Sequence, residues 1–555
     1  MKKDKWLLIS RKNKNSTYLS LALSGGFGKG YKKSIGIGTV EKWEKYCSDP
    51  VEKNKKLSQN YNTDWDRNMI IRQLELDISK VKIETKQFNY GYDLLYSFLE
   101  KLNPFKDAKV SKSKYLNDLL KYMISNRIVN PGSMLSSFKN KDKFNINLEV
   151  EKTTFYNTLD YLAENKNNIL KSVNDTLIKD KNRKIDIIWY DSSTVYFESF
   201  VREGLRYPGY SKDGKFKEDQ IVLGLATDEN GIPIHYKLFK GNTADASTFI
   251  NFILNIKSQY ELNKVTLIAD RGMSTNRNIR FLEDNDIDYI LSYRLKAASN
   301  DRKTFAIDES GYFGDNNFEY KETTFYSFWK NRRANGHKRR LVVTYSKKRA
   351  LKDKNDRQIL IDNFIKRQDK DGLVHVQVMF GQKKFKFFEK VGGKGYYKLN
   401  YDKIIEDEKF DGYYAYETSR FDLSPEEIVN LYSKQWQIES NFRALKSALA
   451  VRPIYVWSEK HIEGHFVLCF LSLVLLNFVI YYLNKGLKEL GVVDEKITIK
   501  KLQDVIKETI KTCKIIDGKI ESEEYIINDN NNQAIQDYQT YLRILNELKW
   551  KCLKM

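Results

Sequence analysis

Three carboxylates stand where their surroundings would let them do chemistry. Asp191 follows the run Ile185-Asp186-Ile187-Ile188-Trp189-Tyr190, and Asp270 follows Val265-Thr266-Leu267-Ile268-Ala269. Each run reads as a largely buried strand, so each aspartate is expected at a strand end. Acids at the ends of neighbouring strands can converge on one point, and hard divalent cations need such converging oxygens. Taken singly, each is equally an aspartate capping a strand–loop junction. The third acid is Glu439. Tyr432, Glu439 and Lys446 are spaced 439 − 432 = 7 and 446 − 439 = 7 residues apart, nearly two helical turns each, so one continuous helix would carry them on one stripe. Gln435, Trp436, Phe442 and Arg443 fall near that stripe. An acid flanked by a phenol and two cations suits a metal beside a phosphate. A surface helix with a Glu439–Arg443 ion pair has the same pattern.

A second chemical signal is charge. The 555 residues contain 95 Lys plus Arg against 73 Asp plus Glu, a net charge of +22. An excess of this size points to a polyanionic partner, nucleic acid before membrane. Lys330 to Arg357 alone holds twelve cations, among them Arg332, Arg333, Arg339 and Arg340, against Asp353 and Asp356. Phe325, Tyr326, Trp329 and Tyr345 are interleaved or adjacent. Cations mixed with aromatics suit backbone contact and base stacking.

Other functions are excluded or weakened. With 41% apolar residues the chain has ample core material, which rules out a mainly disordered protein. Cys47, Cys469, Cys513 and Cys552 are far apart, with no CxxC pair, which excludes a zinc ribbon or disulfide framework. His461 and His465 have helical metal-ligand spacing, but Ile462 stands where a zinc peptidase needs glutamate. Phe466 to Leu483 is apolar over 18 residues, the minimum for a membrane span. Its Ser472 and Asn477, and the basic chain around it, favour a helix buried in a large domain, and no membrane partner is expected.

The elements that must position these residues divide the chain into six parts. Residues 1–104 are mixed; 105–183 are helical, a possible DNA-binding domain. From 184 to 298 the order is strand, hairpin around Asp228-Glu229-Asn230-Gly231, helix, strand, helix, strand: a mixed sheet flanked by helices. Residues 299–420 read as a projecting β-rich insertion domain. At Ser424, with Pro425 and Glu427, a capping box starts a helix expected to run to about Leu449. Residues 421–490 complete the core, and 491–555 read as a helical tail.

The chain resembles the DDE transposases of bacterial insertion sequences, in the branch with a β insertion and a Tyr-Arg-Glu-Lys signature. YSKQWQIESNFRALK, from 432 to 446, supplies Tyr432, Glu439 and Lys446 at the signature spacing, with Gln435 in the arginine position. DSSTVYFES from 191, ADRGMSTNRN from 269 and VRPIYVWSEKHIEGHFVLCFL from 451 are also family-like. The resemblance spans about 105 to 490. It implies an α/β fold: an RNase H-like core interrupted by the insertion, with Asp191, Asp270 and Glu439 as catalytic metal ligands. The gaps are 270 − 191 = 79 and 439 − 270 = 169, the second holding the insertion. It further implies two Mg2+ ions per site, with Mn2+ as a substitute, about 4 Å apart. Tyr432, Gln435, Arg443 and Lys446 would face DNA, with Arg443 or Lys434 compensating for Gln435. The expected activity is cleavage and strand transfer on double-stranded DNA, at element ends and target, by a homodimer in the bacterial cytoplasm. An RNase H-like nuclease that does not join strands, or an inactive DNA-binding relative, remains the alternative.

Overall fold

The computed structural model of the chain describes residues 5–13, 16–26, 28–44, 46, 49–79, 83–107, 114–144, 148–181, 183–198, 202–209, 217–260, 265–314, 319–327, 336–376, 386–392, 395–492, 495–516, 519–525 and 533–547. Two compact units partition it. The smaller comprises Met1–Tyr90, Lys143–Asn145 and Glu508–Gln536. The larger comprises Gly91–Asp142, Ile146–Lys507 and Asp537–Met555.

The smaller unit holds a meander of Trp6–Lys12, Thr17–Ser24 and Tyr31–Thr39, whose inner face packs with Trp43, Ile70 and Leu74. Its second sheet pairs Ile83–Asn89 with Ile510–Ile516, which forms a hairpin with Lys519–Tyr525. This corrects the expected helical tail over 510–525, while Ile499–Glu508 and Gln533–Glu547 are helical as expected. The Lys/Glu-rich text of 510–525 reads as helix, but Ile510, Thr512 and Ile515 are β-branched and pair with a strand more than 400 residues away in sequence (510 − 89 = 421).

The larger unit is built on one nine-stranded sheet: β1 (Ile187–Tyr196), β2 (Gln220–Thr227), β3 (Pro233–Lys240), β4 (Thr266–Ala269), β5 (Asp288–Ser292), β6 (Phe313–Gly314), β7 (Glu319–Ser327), β8 (His337–Tyr345) and β9 (Tyr413–Thr418). The spatial order is β6-β7-β8-β9-β5-β4-β1-β2-β3. Strands β1, β4 and β5 are parallel, and β2 and β3 run antiparallel beyond β1. The half β3-β2-β1-β4-β5 is the RNase H-like arrangement. The hairpin β2–β3 turns at Gly231, whose φ of 76° is readily adopted only by glycine.

Each face of this sheet is covered. Helices α3 (Asp245–Tyr260) and α4 (Asn276–Asp284) pack Phe249, Phe252, Ile279 and Leu282 on Ile188, Tyr190, Leu267 and Ala269. On the other face α6 (Pro425–Ser433) sets Ile428 against Trp189, Ile268 and Ile290. Alternation along a strand therefore sends Tyr190 toward α3, and Trp189 and Asp191 toward α6. (Helices α1, Lys114–Val129, α2, Lys152–Glu164, and α5, Lys347–Ile365, lie elsewhere in this unit.) Helix α8 (Glu459–Glu489) is its central post. An 18-residue apolar window in α8 is 78% buried inside the protein. Ser472 Oγ donates to the Ile124 carbonyl of α1 at 3.0 Å, so its polar group is used within the core. Gly464 lets α8 touch α2, since a Cβ there would lie 2.0 Å from the Leu159 carbonyl oxygen.

The expected projecting module at 299–420 needs correction. Its strands β6 to β9 continue the core sheet, with β9 pairing antiparallel to β5. Leu341, Val342 and Val343 of β8 are fully buried, so this strand needs cover on both faces. Without β9, the edge of β5 would expose unpaired backbone groups. Among the described residues, only a small sheet of Val374–His375, Phe388–Val391 and Tyr396–Leu399 stands apart, packed on Phe364 of α5.

Candidate active site

The register of β1 and β4 brings two acids together. Ile187 pairs with Thr266 and Tyr190 with Ala269, an offset of 79, so Asp191 and Asp270 are the next pair in line. Neighbouring strands run about 4.8 Å apart. The strand does not end at Asp191, as the sequence suggests. It continues to Tyr196, held by β2 from Asp191↔Leu225 to Tyr196↔Gln220. Asp270 does lie just past the end of β4, where its Oδ1 accepts from the Gly272 amide at 2.6 Å. A Cβ on Gly272 would come 2.9 Å from that oxygen, so glycine makes room for the carboxylate. Sequence reasoning missed Gly272, although an Asp-x-Gly turn after an apolar strand was the available signal.

The helix expected from Ser424 to Leu449 is three pieces. The capping box of Ser424 and Glu427 is formed as expected. Helix α6 ends at Ser433, and α7 (Trp436–Arg443) follows after a tightened turn in which Gln435 N donates to Tyr432 O at 3.0 Å. A π turn, Ala444–Ala448, then carries Lys446. These breaks change the angular count, so Tyr432, Glu439 and Lys446 do not share one regular stripe. Tyr432 packs on Tyr416, with ring centroids 5.0 Å apart, and accepts from the Tyr414 hydroxyl at 3.2 Å. Burial first, then Tyr414 and the Asp270 carboxylate, push its phenol far above the ordinary value. Tyr432 therefore stays protonated.

Gln435 is buried, and its Nε2 donates to the Tyr190 carbonyl at 3.3 Å. This inward placement corrects the expectation of a phosphate contact there. It also pins α7 to the residue before Asp191. Glu439 lies one turn farther along, solvent-exposed. Arg443 is exposed as well, lining a cleft rather than the acid pair. Lys434 lies 3.8 Å from Glu229 and above the Trp189 ring.

Two of the four arginines proposed from the basic run point inward. Arg339 is buried between Glu283, at 2.6 Å, and Glu417, at 2.7 Å. Arg340 pairs with Glu322 and donates to the Leu423 carbonyl. A DNA contact by either is therefore corrected: a buried guanidinium must be paired, and their acids occupy them. Arg332 and Arg333 lie outside the described residues. Lys347, Lys348, Lys352 and Lys354 on α5 are exposed.

Asp191, Asp270 and Glu439 offer only carboxylate oxygens, the donor set that Mg2+ and Mn2+ prefer. The Asp191–Asp270 pair and the room that Gly272 leaves fit such an ion. Among the described residues no three His, Cys, Asp or Glu side chains already stand in a metal-holding group.

The sheet order and the paired acids define an RNase H-like protein. The family model described as "Transposase DDE domain" matches residues 182–475, just over half of the chain. The chain belongs to the DDE transposase family, which implies use of a divalent metal. No curated protein matches it. Among solved structures it is similar to a piggyBac transposase synaptic complex with hairpin DNA, at 10% identity, covering 75% of this chain and 79% of that one, with a TM-score of 0.35. It is also similar to a Mos1 transposase paired-end complex with left transposon end, at 14% identity, covering 33% and 60%, with a TM-score of 0.15.

Proposed function

We propose that the protein mobilises a DNA insertion sequence, binding the element's ends, cutting there and joining the freed ends to target DNA. The observation that carries this reading is the β1–β4 register, whose last pair, Tyr190↔Ala269, immediately precedes both Asp191 and Asp270, with Glu439 on α7 one turn beyond the Gln435–Tyr190 tie. Asp191, Asp270 and Glu439 would hold two Mg2+ ions, which supply activation of the attacking oxygen and neutralise the leaving one. Asp191 is fixed by its register with β2, and Asp270 by the Gly272 amide at the end of β4. Glu439 has three side-chain torsions and an exposed start, so it can swing to the pair when a phosphate is bound. Tyr432, kept protonated by burial, donates a hydrogen bond to a phosphate oxygen. Lys446 balances charge from the π turn. The net charge of +22 supports a long DNA footprint. The working form is a homodimer that holds both ends, on DNA in the cytoplasm.

The test uses full-length protein and duplexes carrying the sequences that flank its own gene. Mg2+-dependent nicking at the element boundary, followed by joining to a plasmid, is the expected result. Nicking without joining would leave a nuclease. Binding without either would leave an inactive DNA-binding relative.

A further inference from the structure

On the flank of α7 next to its Glu439 side lies an open cleft of about 1080 Å³. It is bounded by α7, the π turn, the C-terminal half of α8 and the start of α9 (Ile499–Glu508). Trp436, Ser440, Arg443 and Ser447 recur at helical spacing along one wall. Lys485, Lys488, Lys496 and Lys500 stand on the others, and no Asp or Glu is among its described lining residues. Lys485 has Glu489 at 3.8 Å on the rim, with both side chains about half exposed, so solvent weakens that pair. Trp436 is 55% exposed, and Lys496 Nζ lies 5.6 Å from its ring centroid.

The geometry points to a second phosphate-binding track, in which this cleft holds the DNA strand running past the scissile bond. The inference rests on the proposed DNA-cutting function and adds where the strand goes. Arg443 is four residues beyond Glu439, a rise of about 6 Å. Successive phosphates of a B-form strand are about 3.4 Å apart along the axis. A strand bound at Glu439 therefore reaches Arg443 on the cleft wall within about two nucleotides. A basic groove with an exposed indole is how proteins hold a strand without reading its sequence. The floor is already set: Asn477 Nδ2 donates to Asn441 Oδ1 at 2.7 Å, and Asn441 Nδ2 to the Gly231 carbonyl at 2.7 Å.

The test compares full-length wild type with the triple variants Lys488→Ala/Lys496→Ala/Lys500→Ala and Lys488→Arg/Lys496→Arg/Lys500→Arg, binding an element-end duplex across a salt series. The alanine variant should lower the log–log salt slope by about 2 to 3, at about 0.9 per lost phosphate contact. The arginine variant should keep the slope. A second measurement needs no variant: DNA should protect Lys488, Lys496 and Lys500 of the wild type from acylation, read by mass spectrometry. An unchanged slope in a folded alanine variant, or three lysines labelled equally with and without DNA, overturns the inference. Loss of nicking in the wild type would instead overturn the proposed function, a result the binding slope and labelling do not decide.

Discussion

Asp191 and Asp270 each follow the last ladder pair of two neighbouring parallel strands, Tyr190↔Ala269, although 79 residues separate them, because the β1–β4 register carries the same offset from its first pair, Ile187↔Thr266. Two like charges so placed repel unless a cation lies between them. Mg2+ should raise the melting temperature of the wild type through linkage. Asp191→Asn/Asp270→Asn keeps the shapes and removes the charges. In that variant the Mg2+-dependent rise should vanish and nicking should fall at least about 1000-fold, roughly 4 kcal/mol, while DNA binding persists. A Mg2+ shift of the same size in the double variant would place the ion elsewhere.

Gly272 tests the same site without removing a ligand. Its added Cβ would meet Asp270 Oδ1 at 2.9 Å, a side-chain atom that can move aside. Gly272→Ala should therefore fold, with a melting temperature close to wild type, yet displace the carboxylate. Nicking should drop roughly 10- to 100-fold, as expected when a reacting group is misplaced by about 1 Å. Unaltered nicking would mean that the position of Asp270 has slack.

The strand–hairpin–helix order and the place of Asp270 at a strand end were legible because alternation, the Asn-Gly turn and the capping box are local signals. What was hidden depends on partners distant in sequence. His337-Lys338-Arg339-Arg340 reads as surface, and nothing near it announces that Glu283 of α4 and Glu417 of β9, 56 and 78 residues away, enclose Arg339. The breaks either side of α7 were invisible for a related reason. Gln435 is a good helix former, and only the Tyr190 carbonyl beneath it draws it inward. The β insertion was recognised, but strand pairing, which is non-local, decided that β9 would close on β5.

Arg339 yields a prediction opposite to the one its charge invites. Arg339→Ala leaves Glu283 and Glu417 buried without their guanidinium, and breaking such a pair costs about 3–5 kcal/mol. The variant should unfold at clearly lower denaturant. A folded fraction should keep the salt slope for DNA. Lys348→Ala/Lys352→Ala on exposed α5 should leave stability within about 0.5 kcal/mol. A stable Arg339→Ala protein with a reduced slope would return this arginine to the DNA surface.

Two buried histidines set a pH dependence. Burial first, then neighbouring cations, holds His235 at about 3, with Lys166 the larger influence, Lys237 smaller and the Asn255 hydrogen bond opposing. His465 is likewise held at about 3, by burial and then Arg127, with its bond to the Val451 carbonyl opposing. In the unfolded chain both take a proton near the ordinary value of about 6.5. The unfolded state then binds more protons below that pH, so this contribution is complete above about 6.5 and is lost as pH falls toward 3. Each histidine contributes a slope of about 1 kcal/mol per pH unit in that window. Unfolding midpoints in urea from pH 7 to 4.5 should fall steeply for the wild type. His235→Gln keeps a polar group near Asn255 but cannot charge, so its profile should be flatter than wild type by about one such slope, even if its stability at pH 7 is lower. Parallel profiles would show that His235 charges in the folded protein.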